Sequence, residues 1–202
     1  KATFYSFGSI NTKESDAYAY TRNMSSNADR FPVTALGVPI NVPSIMQTTN
    51  DGETYYNPRI LTAINDAAVS FGFKGITQKS WNWDVSLVTG KNDFQYFGDK
   101  TFNASLIGNT SKTYFIDGGF RFRQATLNVD LSKNFKSIAK GLNIGYGFEY
   151  RNEKYGINKG EEASYSNYDP NGVQGSGSQG FPGFSPSDVV DAKRNSLSVY
   201  LD

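Results

Sequence analysis

The sequence predicts an all-β protein, and three observations support this. Large apolar residues alternate with polar ones in several segments, most clearly from Leu142 to Tyr155. Successive strand residues point to opposite faces, so the alternation gives each strand one apolar and one polar face. Twenty Gly and thirteen Tyr against two Met suit strands and tight turns better than a helical core. Finally, no apolar run approaches the roughly 18–20 residues of a transmembrane helix.

The first three strands follow from apolar residues at every second position. The first covers about residues 1–10 and is rich in aromatic residues. In the second strand, Val69, Phe71 and Phe73 share one face. The third strand has the following apolar side chains on one face: Trp81, Trp83, Val85 and Leu87.

The last three strands lie in the second half of the chain. The fourth occupies about residues 114–131, and its apolar positions change parity near Gln124. This change predicts a bulge or a bend near Arg123. The fifth strand is the run described first, and the sixth surrounds Val199.

The predicted connections between these strands alternate in length. Long polar connections are expected at about 11–66, 89–113 and 156–194, and short turns at about 75–80 and 134–141. Long extracellular loops alternating with short periplasmic turns are typical of outer-membrane β-barrels. A soluble β-sandwich would instead have turn signals every 8 to 12 residues or so, at both ends of the sheets.

The asymmetry favours a segment of a large antiparallel up-and-down transmembrane β-barrel. Six strands alone would leave two sheet edges in hydrocarbon, where each unpaired backbone group costs several kcal/mol. We therefore expect further strands beside this chain, in the outer membrane of a Gram-negative bacterium. A soluble or surface β-sandwich that serves adhesion or carbohydrate binding is the alternative. What the apolar faces contact distinguishes the two.

The composition limits the chemistry that the chain can perform. It has no His and no Cys, which excludes Ser-His-Asp triads, thiol nucleophiles and metal sites built on His. We expect no enzymatic activity, no catalytic residue, no metal and no cofactor. The net charge is +1 and the basic residues are scattered, so nucleic acid is not an expected partner. Gly175–Gly180 matches G-x-G-x-x-G, but Pro182 follows it where a dinucleotide site needs a helix.

Several short runs, taken in order, resemble the barrel strands and loops of TonB-dependent outer-membrane receptors of the kind found in Bacteroidetes. They include Trp81–Leu87, Gly90–Phe94, Thr101–Leu106, Gly147–Tyr155 and Gly180–Pro186. The resemblance implies a barrel of about 22 strands around an N-terminal plug, which imports a scarce ligand such as an iron chelate, cobalamin or an oligosaccharide. This chain would supply about six strands and no plug domain.

The resemblance also implies partners, and the alternation assigns residues to surfaces. The partners are the remaining strands and plug domain of the same receptor, the TonB motor complex, the lipid bilayer and a surface lipoprotein. The expected lipid-facing residues are Trp81, Trp83, Val85, Leu87, Leu127, Val129, Ile144, Tyr146 and Phe148. Those expected to face the lumen and the plug are Asp84, Asp130, Glu149, Arg151 and Glu153. The loop aromatics expected to stack on a ligand, or else to pack within the loops, are Tyr165, Tyr168, Phe181 and Phe184.

Overall fold

The computed structural model describes residues 1–138 and 141–202, and within them the fold is all-β and antiparallel. The strands are β1 (Ala2–Tyr18), β2 (Arg22–Asn23), β3 (Gln47–Thr48), β4 (Thr54–Tyr56), β5 (Arg59–Ile76), β6 (Asn82–Asp99), β7 (Phe115–Phe135), β8 (Leu142–Lys159) and β9 (Val190–Leu201). Three single-turn 3-10 helices lie at Ala28–Arg30, Glu162–Ser164 and Pro186–Asp188. The all-β class predicted from the sequence is confirmed.

The six long strands form one antiparallel sheet in the order β1-β5-β6-β7-β8-β9. Each of them pairs with the next long strand along the chain, which is an up-and-down arrangement. The short strands form a second sheet, in the order β2-β4-β3, inside the connection between β1 and β5. Within the described residues the large sheet is open, with β1 and β9 at its edges.

The connections divide the sheet into two different ends. The long connections 19–58, 100–114 and 160–189 all leave the same end, which we call the loop end. The short turns after β5 and after β7 lie at the other end, the turn end. Residues 139 and 140, within the second predicted turn, lie outside the described residues. The predicted alternation of long and short connections is present.

The strands extend further toward the loop end than the sequence predicted. β1 ends at Tyr18 and not near residue 10, β5 begins at Arg59, and β6 continues to Asp99. The predicted connections at 11–66, 89–113 and 156–194 were therefore too long, while the turns predicted at 75–80 and 134–141 begin only two residues later. In much of the added strand length, residues on both faces of the strand are polar, so alternation gave no signal there.

The bulge predicted near Arg123 is wrong. Arg123 pairs regularly with Lys91 on one side and with Lys154 on the other. In the β6–β7 ladder the register shifts between Tyr96 and Phe97, and Asp117 is the extra residue opposite this step. The bulge therefore lies near the loop end of β7.

Most of the buried side chains lie in the long connections. The main buried cluster consists of Phe31, Met46, Tyr56 and Phe102. The first three belong to the first connection, which includes β4, and Phe102 belongs to the second. We call residues 19–58, 100–114 and 160–189 together the loop cap. The large sheet buries far less, so the described chain has its hydrophobic core in the loop cap.

Candidate functional site

One face of the large sheet carries a continuous apolar band. Residues paired across the ladders share a face, and the pairings define this band face. One row across all six strands reads Phe4, Phe73, Val85, Val129, Phe148 and Val199. Its side chains are not packed away: Phe73 is 51% exposed and Val199 is 78% exposed. An apolar surface this large is uncommon on a soluble monomer and marks a contact with something apolar.

The edge of the band nearest the loop end crosses the sheet obliquely. The first charged or amide side chains are Asn195 on β9 and its ladder partner Asn152 on β8. On β7 and β6 they are Arg123 and Lys91, one row further toward the loop end, and on β5 Asn65 lies one row beyond that. The edge thus moves by one row for about every two strands. One row is about 6.8 Å along a strand and two strand spacings are about 9.6 Å, so the edge is inclined to the ladder rows by about 35°.

At the turn end the band finishes in a group of aromatic rings. The Trp81 ring lies 6.2 Å from the Phe135 ring and 5.7 Å from the Tyr146 ring, measured between centroids. The Lys133 ammonium lies over two of these rings, 5.7 Å from Trp81 and 5.0 Å from Phe135. Amphipathic aromatic rings with a lysine stem lying along them suit a boundary between an apolar and an aqueous phase.

The opposite face of the sheet is polar toward the turn end. The ladders place all five residues expected to face a lumen on it: Asp84, Asp130, Glu149, Arg151 and Glu153. Tyr5 donates a hydrogen bond to Asp84 over 2.7 Å, and Tyr200 donates one to Asp130 over 2.6 Å. The nine residues expected to face lipid lie on or beside the band face, so the structure separates the two predicted sets. Their contacts with lipid and with a plug stay predictions.

The polar face is hollow at the turn end. A cavity of about 530 Å³ is lined by residues from all six long strands, among them Thr3 at one edge and Tyr200 at the other. A hollow bounded by both edge strands indicates that this face curves inward. Two of the acids that line it, Asp84 and Asp130, accept the hydrogen bonds from the Tyr5 and Tyr200 hydroxyls.

Toward the loop end the same face becomes aromatic and the loop cap covers it. The Phe181 ring lies 4.6 Å from Tyr96, and the Phe184 ring lies 5.2 Å from Phe120. Phe181 and Phe184 also contact each other, with centroids 5.4 Å apart. The rings of these two predicted ligand contacts therefore pack against the sheet. This is the alternative that the sequence left open for them.

The other two loop aromatics lie further out in the loop cap. Tyr165 is half-buried, while Tyr168 is exposed and its backbone N–H donates to the Ser105 hydroxyl over 3.0 Å. Beside them, the Asp169 carboxylate accepts hydrogen bonds from three backbone N–H groups, which lower its pKa; the donors are Gln174, Asn171 and Val173. Asp169 thus stabilises a turn. Of the two tyrosines, Tyr168 is more accessible to a ligand than Tyr165.

Hydrogen bonds join the three long connections into one body. The Thr101 hydroxyl donates to the Gln179 carbonyl over 2.9 Å and accepts from the Gln179 N–H over 3.0 Å. The Asn103 amide donates to the carbonyls of Ala163 and Ser166, over 2.8 and 2.9 Å. The first connection joins the third where the backbone N–H of Gly175 donates to the backbone carbonyl of Asp29. The three connections of the loop cap are thus held together by hydrogen bonds between them.

A buried acid lies where the loop cap meets the sheet. Asp117, the bulge residue of β7, is fully buried, and neither of its carboxyl oxygens has a hydrogen-bond partner. Burial, with a smaller contribution from the charge of Glu161, raises the pKa of Asp117 to about 8. The Ser178 hydroxyl is also buried without a partner. Asp117 is therefore protonated at neutral pH.

Sequence reasoning missed Asp117. The available signal was the run Asp117-Gly-Gly, which interrupts alternation inside a strand. Gly118 has a φ of +88°, which suits a bulge. A β-carbon at Gly119 would overlap the Phe94 carbonyl oxygen, so the neighbouring strand leaves no room for a side chain.

Comparisons of the chain with protein-family models, curated proteins and solved structures found no match. In the described part of the chain, no helix is long and apolar enough to cross a membrane. Residues 1–138 and 141–202 also contain no group of three or more His, Cys, Asp or Glu side chains arranged to hold a metal ion.

Proposed function

We propose that this chain forms part of the wall of an outer-membrane β-barrel, with the band face toward lipid and the polar face toward the lumen. The oblique edge of the band is the observation that supports this most strongly. Closing a sheet into a barrel requires tilted strands, and membrane-spanning strands are tilted by about 35–45°. A lipid layer that cuts across tilted strands produces an apolar band whose edge is inclined to the ladder rows. The observed inclination of about 35° lies in this range.

The different ends of the sheet agree with this orientation. At the turn end the band finishes in the rings of Trp81, Phe135 and Tyr146, as in an interfacial aromatic girdle. At the loop end the strands continue beyond the band and bear the loop cap. We therefore assign the loop end to the cell exterior and the turn end to the periplasm.

Within this class, we propose a TonB-dependent receptor that takes up a scarce ligand, such as an iron chelate, cobalamin or an oligosaccharide. The resemblance of the strand and loop runs supports this assignment. The hollow polar face would contact the plug domain, the loop cap would form part of the ligand mouth, and the TonB motor would act through the plug. The remaining strands of the receptor would pair with β1 and β9, because bare sheet edges are costly in hydrocarbon.

Spin labels on neighbouring residues test the orientation of the wall. The chain has no Cys, so single cysteines can be introduced at Val85 on the band face and at Ser86 on the polar face. The protein is expressed from its complete gene and studied in lipid bilayers. We expect the Val85 label to collide with molecular oxygen far more often than with a water-soluble nickel chelate, and the Ser86 label to show the reverse.

The alternative of a soluble or surface β-sandwich gives a different result. In a sandwich the band face packs against a second sheet, so the Val85 label would be immobile and shielded from both reagents. The protein would also remain soluble without detergent. Either result contradicts the proposed wall.

Growth experiments test the transport proposal separately. A strain lacking the gene and a strain lacking TonB are compared with the parent strain on limiting ferric chelates, cobalamin or oligosaccharides. We expect growth on one class of nutrient to require both genes. Growth that never depends on this gene would contradict transport while leaving the wall proposal intact.

A further inference from the structure

Four basic residues occupy one ladder row of the band face. Lys91, Arg123, Lys154 and Lys193 are directly paired across β6, β7, β8 and β9, and all four are exposed. Like charges directly opposite each other destabilise a sheet. Among the described residues, only Lys91 of the four has an acidic partner within 4.0 Å, namely Asp93 at 3.6 Å. An anion bound across the row would relieve this repulsion.

The row lies on the loop-end side of the apolar band. It is next to the band on β6 and β7, and Asn152 and Asn195 separate it from the band on β8 and β9. Arg123 and Lys91 are the first charged residues beyond the band on their strands. The next row toward the loop end is mixed, because Arg121 lies 3.7 Å from Asp191 and Asp93 carries a negative charge. The strongest positive charge is thus concentrated where the apolar surface ends.

A groove connects the basic row with the band. Its volume is about 840 Å³, and Lys91 and Arg123 form part of its wall. The remaining lining includes Gly8, Ala67 and Val69, whose small side chains leave the space open. Grooves of this size accept small-molecule ligands. A groove that is apolar along its length and basic at one end fits an amphiphile with an anionic head.

We propose that the basic row binds the phosphate of a lipid in the outer leaflet, and that one acyl chain of this lipid lies in the groove. The inference rests on the proposed wall, because only that orientation places the row at the level of lipid headgroups. An arginine guanidinium can hold a phosphate through two parallel hydrogen bonds. The lysines can lay their stems on the band and keep their ammonium groups at the phosphate.

The two ends of the band support a lipid of one leaflet over a free anion. At the turn end, Lys133 lies over the aromatic rings of Trp81 and Phe135. The ladder rows across β6 to β9 at that end contain no run of basic partners within the described residues. The loop end alone combines a basic row with an apolar groove. A free phosphate has no apolar part that could occupy this groove, whereas a lipid has.

Native mass spectrometry of the detergent-solubilised protein, expressed from its complete gene, tests the proposal. The probes are phosphatidic acid and diacylglycerol with identical acyl chains, which differ only in the phosphate. We expect the protein to bind phosphatidic acid and not diacylglycerol. The variant R123Q/K154Q should bind phosphatidic acid about tenfold more weakly. The matched control is K13Q/K74Q, which removes two exposed lysines from the polar face and should bind like the wild type.

Three results would overturn the proposal. Equal binding by R123Q/K154Q and the wild type would show that the row does not hold the phosphate. Equal binding of diacylglycerol would show that only the groove matters. Complete displacement of phosphatidic acid by inorganic phosphate would show that the row binds a free anion. The Val85 and Ser86 labels are measured on the same variants. A normal label contrast with failed lipid binding rejects the basic row alone, whereas a lost contrast rejects the wall.

Discussion

The loop cap buries its large apolar side chains, whereas the large sheet leaves many of its own exposed. In the loop cap, Tyr56 and Phe102 are fully buried among residues of the same chain. On the sheet, equally large side chains such as Phe73 stay exposed. Loops usually run over a surface and elements of regular structure form the core. Here the connections make their own core, and the sheet needs a partner outside the described chain.

The difference predicts which region responds to which kind of change. The loop cap should be sensitive to lost packing and lost hydrogen bonds, since its stability comes from contacts within the chain. The band face should tolerate lost packing but respond to charge, because its proposed partner is hydrocarbon.

Replacing Tyr56 by alanine should open the loop cap and leave the sheet intact. The Tyr56 ring packs edge-on against Phe31 and Phe102, and its hydroxyl donates to the Arg30 carbonyl over 2.8 Å. Removing a buried aromatic side chain costs about 3–5 kcal/mol. Amide hydrogen exchange should become faster in the loop cap only. The control is Tyr20→Ala, where the ring is 87% exposed; equal effects of the two changes would contradict a packed cap.

Arginine in the middle of the band should destabilise the protein in lipid. Val129 lies on the band between Val85 and Phe148, whereas its neighbour Asn128 points to the polar face. An arginine facing lipid at the bilayer centre costs about 2–4 kcal/mol. We expect this loss for Val129→Arg in denaturant unfolding from lipid vesicles, and little change for Asn128→Arg. An unchanged free energy of unfolding for Val129→Arg would mean that water already covers the band.

The loop cap should loosen as the pH rises, because of Asp117. Its pKa is raised to about 8 in the folded state, against an ordinary value near 4, so its proton stabilises the closed loop cap fully below pH 4 or so. Above that pH the open state loses the proton first. The free energy of opening then falls by up to about 1.4 kcal/mol per pH unit, until the folded pKa is passed.

Asp117→Asn isolates this effect, since the amide is neutral at every pH and close to the carboxyl group in shape. Between pH 5 and pH 7, hydrogen exchange in the loop cap should accelerate beyond its intrinsic pH dependence in the wild type but not in the variant. An identical pH dependence in the two proteins would show that Asp117 ionises freely when the cap is closed.

Replacing Thr101 by valine should weaken the junction between the second and third connections. Valine keeps the shape but removes both hydrogen bonds to Gln179, leaving its buried N–H and carbonyl groups without this partner. Such a loss costs about 1–3 kcal/mol. Limited proteolysis should become faster between residues 160 and 189. Ser111→Ala removes an exposed hydroxyl from the same connection as Thr101 and should change little.

The smallest effect is expected from an ion pair near the edge of the polar face. Arg194 donates to Glu153 over 2.7 Å; the Arg194 side chain is 71% exposed, whereas the Glu153 side chain is 12% exposed. Because water reaches the arginine and screens the pair, we expect a contribution near that of surface pairs, about 0–1 kcal/mol. Arg194→Gln should therefore leave the unfolding midpoint almost unchanged. A loss as large as that of Thr101→Val would show that this face is shielded from water.

The sequence predicted strands well wherever the two faces of a strand differ in polarity. Alternation located the band-forming parts of β6, β7 and β8, and the pairings place Val85, Val129 and Phe148 together on one face. It failed for the loop-end half of β1, from Asn11 to Tyr18, which is polar on both faces. Strands that extend beyond an apolar layer keep their hydrogen bonds and lose their pattern.

The wrongly placed bulge has a physical cause in the same contrast. Parity changes near Gln124 although the pairing is regular there, because the apolar residues of β7 move from one face of the sheet to the other. Toward the turn end, Leu127 and Val129 lie on the band face. Toward the loop end, Phe120 lies on the polar face beneath Phe184 of the loop cap. In the sequence alone, a shift of apolar residues from one face to the other has the same pattern as a bulge. The shift is explained only by the distant loop, whose Phe184 packs on Phe120.

The long-range contacts of the loop cap could not be predicted from local pattern. Thr101 and Gln179 are separated by 78 residues, and nothing near either position indicates the other. Residue composition indicated loops in this part of the chain and suggested that their aromatic residues were candidates for binding. It could not show that Phe181 and Phe184 pack on the sheet while Tyr168 stays accessible.

The hydrogen bonds that join three distant segments have a consequence for molecular recognition. A molecule arriving at this end of the protein would meet a surface that is already ordered, so little conformational entropy would be lost when it docks. Encounter would then need no slow rearrangement, and affinity would depend mainly on the dissociation rate. Exchanging one segment between related proteins would disturb its two neighbours. New preferences would therefore arise most easily when all three segments are exchanged together.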